Sequence, residues 1–158
     1  MQKKRVNTQF ESEFMEQFSI DKIIKIFRNE FHFVENKFDI IRVLKNKKFN
    51  LKNILSAIDK NDCIWHPGVY VFYGQKKVWK VGRHFTNSRM RASQHLAENT
   101  QSEDHSINDL ADIPDSELIL FNLNQKDSHK KFDYHWVAAV EIYLENILNP
   151  LIRSKRMG

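Results

Sequence analysis

Gly68-Val69-Tyr70-Val71-Phe72-Tyr73-Gly74-Gln75-Lys76-Lys77-Val78-Trp79-Lys80-Val81-Gly82-Arg83, continued by His84-Phe85-Thr86-Asn87-Ser88-Arg89-Met90-Arg91-Ala92-Ser93-Gln94-His95-Leu96, reads as a hairpin that feeds a helix. Val69, Val71 and Tyr73 alternate with Tyr70 and Phe72, as a half-buried strand requires. Gly74 to Lys77 turns the chain, and Val78 to Val81 returns it. After Gly82, the run Thr86-Asn87-Ser88 offers side-chain caps for a helix, on which Arg91 and His95 stand four positions apart on one face. A tyrosine, a lysine, an arginine and a histidine are thereby able to converge.

Working outward, Glu117-Leu-Ile-Leu-Phe-Asn-Leu123 is short, apolar and bounded by turn formers, which predicts a third strand. Trp136 to Leu148 is a helix apolar almost all round, ended by Pro150. Asn99 to Ser116 is polar and acidic, with Asp104, Asp109, Asp112 and Asp115 in no calcium-loop spacing, so a solvated loop is expected there.

Towards the N-terminus, Ser19 or Asp21 starts a helix with Ile23, Ile24, Phe27 and Phe31 on one face. Phe10, Phe14 and Phe18 form an earlier aromatic stripe at helical spacing. Phe38, Ile40, Ile41, Val43 and Leu44 suit either a buried helix or an extended segment, and a helix is the preferred reading. Asn50 caps a further helix carrying Leu51, Ile54, Leu55 and Ile58. Lys45, Lys47, Lys48 and Lys52 are either a DNA-recognition cluster or a solvated face. The resulting expectation is an α/β domain with a small, mainly antiparallel three-stranded sheet flanked by helices. A helical N-terminal extension over 1–62 precedes the domain over 63–158, and the two form one compact unit.

The 158 residues suffice for one core. Lys plus Arg number 25 against 20 Asp plus Glu, and the resulting charge of +5 mildly favours a polyanionic partner. Cys63 is the single cysteine, which excludes an intramolecular disulfide and a cysteine-rich zinc site. Lys3-Lys4-Arg5 is followed by polar residues rather than an apolar signal core, so a cytoplasmic location is expected.

The order of these motifs resembles the GIY-YIG nucleases. Gly68-Val69-Tyr70 stands where that family has Gly-Ile-Tyr, and Lys80-Val81-Gly82 where it has Tyr-Ile-Gly. Arg91 and His95 match the arginine and histidine of the following helix. Val140-Glu141-Ile142-Tyr143-Leu144 with Asn149-Pro150 resembles the metal-binding glutamate helix and its end. The resemblance covers roughly Ile64 to Arg153. In two places the chain departs from the pattern: Lys80 replaces a tyrosine, as in some restriction-enzyme members, and Arg153 falls where many members carry asparagine.

The resemblance implies a metal-dependent endonuclease that hydrolyses DNA phosphodiesters, restriction-type or related, acting as monomer or homodimer. A repair or mobile-element nuclease, or a DNA-binding module that has lost catalysis on the same scaffold, are the alternatives. Phosphodiester hydrolysis needs an activated water, charge stabilisation at the phosphoryl oxygens and help for the leaving oxygen. Tyr70 is the expected base or relay. Lys80 is expected either to lower the phenol's pKa or to take its proton, if the two share a face. Arg91 would fork the scissile phosphate, with Arg83 and Arg89 on neighbouring phosphates. His95 would orient Tyr70 or the phosphate. Glu141, a carboxylate among apolar residues, is the expected ligand for Mg²⁺ or Mn²⁺. Its plain alternative is a polar stripe with Glu145, or a pairing with Lys or Arg.

Overall fold

The computed structural model describes residues 17–43, 66–85, 87–102, 104–124 and 131–154. Phe10 and Phe14 of the aromatic stripe, the helix expected after Asn50, and Lys45, Lys47, Lys48 and Lys52 lie outside the described residues.

Ser19 caps the first of the described helices, α1 (Ile20–Glu30), its hydroxyl accepting the Lys22 N–H at 3.1 Å. Ile20, Ile23 and Phe27 fall on its buried face, as their spacing demands. Phe27 sits against Phe31, Phe38 and Phe121, the last with ring centroids 4.8 Å apart.

Four strands follow: β1 (Phe38–Val43), β2 (Gly68–Gly74), β3 (Lys77–His84) and β4 (Glu117–Leu123). They form one antiparallel sheet in the order β1-β4-β2-β3. The sheet therefore has four strands rather than three, and β1 occupies the segment for which a helix was preferred. Ile40 lies opposite Phe121 on one face, and Ile41 opposite Leu120 on the other. Both faces of β1 meet apolar neighbours, so its side chains lack the polar alternation that marks a strand with one wet face. Its β-branched residues then favour the extended form once β4 is there to pair with.

Gln75 and Lys76 join β2 to β3 with φ of 51° and 59°. Two left-handed residues match the twist of a two-residue hairpin. Helix α2 (Ser88–Glu98) comes next, then a short α3 (Ile107–Ala111) inside the stretch expected to be loop. Ile107 and Leu110 of α3 are fully buried, while Asp104, Asp109, Asp112 and Asp115 are exposed. Helix α4 (Lys131–Leu148) is the last of the described helices, ended by Asn149 at φ 45° and then Pro150.

The sheet is covered on both faces. α1 and α4 pack with Val69, Val71, Val81 and Phe121 on one face. On the other face, Ala92 of α2 and Ile107 and Leu110 of α3 pack with Tyr70, Phe72, Trp79 and Leu120. Beyond α4 the chain turns back along the free edge of β3, where the Leu151 and Ile152 N–H groups donate to the Val78 and Trp79 carbonyls at 3.1 and 2.8 Å. This pairing covers part of an otherwise open edge. Among the described residues, no helix is long and apolar enough to cross a membrane.

Candidate active site

Tyr70 lies opposite Gly82 in the hairpin, and Phe72 opposite Lys80. Directly paired residues share a face, so Tyr70, Lys80 and Gly82 all project towards α2. An irregularity beside Phe72 accommodates Trp79 on that same face, in the apolar cluster that also holds Ile41 and Leu118. Gly82 is required by close approach, since a Cβ there would overlap the Tyr70 hydroxyl and ring. The ring lies in the space that the missing side chain leaves.

Helix α2 brings His95 to this ring. Asn87 starts the helix, its Oδ1 accepting the Met90 N–H at 2.9 Å. Ser88 anchors it to the sheet, the Ser88 hydroxyl donating to Asn122 Oδ1 and the Ser88 N–H to the His66 carbonyl. Two turns on, His95 Nε2 is 2.7 Å from Tyr70 Oη, and its Nδ1 is 2.6 Å from Thr100 Oγ1. Burial, then the charges of Lys80 and Arg91, hold His95 down to about 4, so the ring is neutral at physiological pH. A neutral imidazole satisfies both contacts by donating at one nitrogen and accepting at the other.

The phenol is governed by burial, with opposing charges around it. Burial raises the Tyr70 pKa well above its ordinary value, and Glu141 and Glu145 push the same way, while the Arg91 guanidinium and its hydrogen bond pull down. The cation acting on the phenol is thus Arg91. Lys80 was expected to favour phenolate, but burial dominates and Tyr70 stays protonated. Lys80 itself is only 5% exposed, and burial lowers its pKa against the attraction of Glu145 and Glu141.

Glu141 and Glu145, one helical turn apart on α4, are both nearly inaccessible. α4 packs across the edge strand β3, which brings both carboxylates towards the Tyr70 face. Arg83 Nη1 pairs with Glu141 Oε2 at 3.0 Å, and Glu145 Oε1 accepts the Ser154 N–H at 2.6 Å. The Arg83 pairing is the plain alternative expected for Glu141, whose hard carboxylate oxygen is also the kind of donor that Mg²⁺ takes alongside waters and substrate oxygens. Among the described residues, no group of three or more His, Cys, Asp or Glu side chains is placed to hold a metal.

Tyr70, Lys80, Arg91, His95 and Glu141 therefore come from a hairpin and two helices to one region. Compared with protein-family models, curated proteins and solved structures, the chain matches none. Two of the expected phosphate contacts stand differently. Arg83 is engaged with Glu141, and Arg89 is buried with only 3% exposed, so it presents no surface cation. His66 is also buried, its Nδ1 2.6 Å from the Leu123 carbonyl, in a structural position.

Sequence reasoning left Glu145 and Thr100 out of the site. Glu145 carried a signal, because position i+4 from Glu141 shares its face. Thr100 carried none. It reaches His95 because Asn99, at φ 49°, turns the chain back after α2.

Proposed function

We propose that the protein is a divalent-metal-dependent endonuclease that hydrolyses DNA phosphodiester bonds. The observation that carries the reading is the Tyr70–His95 pair at 2.7 Å, with the Arg91 cation and the Glu141 carboxylate both acting on the phenol. Phosphoryl hydrolysis needs a proton path, a cation for the phosphate and a metal ligand, and these residues supply one of each. With Nδ1–H on Thr100, His95 Nε2 accepts the Tyr70 proton while the phenol oxygen takes one from the attacking water, whose oxygen bonds to phosphorus as the bond to the leaving sugar oxygen breaks and that oxygen takes a proton from solvent.

The bare site is poised against premature transfer, because burial, and then the charges of Lys80 and Arg91, depress the imidazole. A phosphate seated on Arg91 offsets that cation, raises the basicity of His95 and so couples binding to proton transfer. Lys80, on the same face as Tyr70, is the second group able to exchange a proton there. Glu141 would hold Mg²⁺ or Mn²⁺, whose chemistry is to polarise the phosphoryl oxygens and acidify a bound water. The Lys80 variant tilts the assignment towards a restriction-type enzyme over a repair or mobile-element nuclease.

A second reading, a DNA-binding module without catalysis, is favoured by one contact. Arg83 at 3.0 Å already neutralises Glu141. Incubation of supercoiled and linear DNA with Mg²⁺, Mn²⁺ or a chelator separates the two. The nuclease reading expects metal-dependent nicking or cutting that collapses in Glu141→Gln while DNA binding persists. Salt-sensitive binding with DNA intact under every metal condition would establish the binding module instead.

A further inference from the structure

Phe85 follows the last residue of β3 and keeps 43% of its surface exposed. Its position is built from three sides. The Arg83 guanidinium lies over the ring with 5.4 Å to the centroid, and Tyr134 of α4 meets it at 5.3 Å and 75°. The turn beneath is tied down, with the Asn87 N–H donating to His84 Nδ1 at 2.7 Å and the Ser88 N–H to the His66 carbonyl at 3.2 Å. The ring is supported by these neighbours while 43% of its surface stays open to solvent.

Its neighbours indicate what covers it. Arg83 bridges Phe85 to Glu141, whose charge acts on both Tyr70 and Lys80. The adjoining His84 lies within the field of Arg91. An aromatic surface backed by the Arg83 guanidinium matches a nucleotide: a π-face attached to an anion.

We propose that Phe85, supported by Arg83 and Tyr134, is a stacking platform for an unpaired nucleobase of the strand whose phosphate binds Arg91. The inference rests on the nucleic-acid reading above and adds to it that the substrate is engaged with one base unstacked. A single-stranded segment, or a duplex that is easily opened, is then the preferred form.

The test compares the full chain's affinity, without metal, for a 12-nucleotide thymidine strand and for an abasic strand of equal length. The parent should prefer the base-bearing strand by roughly tenfold or more. Phe85→Ala should erase that preference and leave abasic affinity and its salt dependence unchanged, while Phe85→Trp should retain it. Equal affinity of the parent for both strands would overturn the platform, as would a preference that survives in Phe85→Ala. A change in oligomeric state in Phe85→Ala with the preference intact would also overturn it, marking a contact between copies. Metal-dependent cleavage by the parent is scored separately. Cleavage without base preference refutes the platform alone, and base preference without cleavage refutes only the nuclease reading.

Discussion

Tyr70 and His95 bear on each other at the scale of single atoms. Tyr70→Phe keeps the ring in the space over Gly82 but removes the hydroxyl that His95 Nε2 contacts. If the phenol relays the water's proton, single-turnover cleavage should slow by about 10²-fold or more, with DNA affinity essentially retained. An unchanged rate would remove Tyr70 from the chemistry. His95 makes a second prediction through pH. The folded ring takes its proton only near about 4, held there by burial and then by Lys80 and Arg91, whereas an unfolded histidine takes it near about 6.5. Between those values the unfolded chain binds more protons, so stability from this group is full above the unfolded value and is lost as pH falls towards 4. Melting temperatures from pH 7 to pH 4.5 should therefore fall more steeply for the parent than for His95→Gln.

At the scale of elements, the hairpin and α2 depend on one missing side chain. Gly82 faces Tyr70 across β2 and β3, and any Cβ there would occupy the place of the phenol oxygen. Gly82→Ala must push the ring off its seat and with it the His95 contact. Overpacking of this kind costs ~1–3 kcal/mol, or ~2–10 °C in Tm for a chain of this size. Cleavage should fall further than that loss of stability accounts for, because the variant stays folded below its Tm with the ring displaced. Calorimetry beside cleavage assays at a temperature well under the melting transition checks the two effects separately. Wild-type cleavage in Gly82→Ala would show that the position of the ring does not matter.

Across the whole molecule, the excess of 25 basic over 20 acidic residues acts on any polyanion before local contacts form. Binding through phosphates releases counterions, so affinity for duplex DNA should drop by more than roughly tenfold between 50 and 200 mM salt. A filter-binding or anisotropy titration across that range gives the slope. Salt-independent affinity would argue against phosphate recognition. The buried charges of the site are a separate matter, because Lys80, Glu141 and Glu145 are each at most 5% exposed and are screened little by added salt.

Local patterns in the chain determined β2, β3, β4, α1, α2 and α4, because each carries its own signal: period-two alternation, a Ser or Asn cap, or an apolar run closed by Asn149-Pro150. The same locality made Tyr70, Arg91 and His95 legible as a group, since a hairpin and one helix hold them within 26 residues of sequence. Only the tertiary structure decided β1, whose residues have apolar neighbours on both faces and become a strand by pairing with β4, some 80 residues away. It also decided the charges. Pairing of Arg83 with Glu141 arises where α4 crosses the β3 edge, the contact of Thr100 with His95 arises where a left-handed Asn99 redirects the chain, and the burial of Arg89 is likewise a property of the packed structure. Even the protonation of Tyr70 belongs to this level, because desolvation is a property of everything packed around a group, and it outweighs the single cation that sequence spacing could suggest.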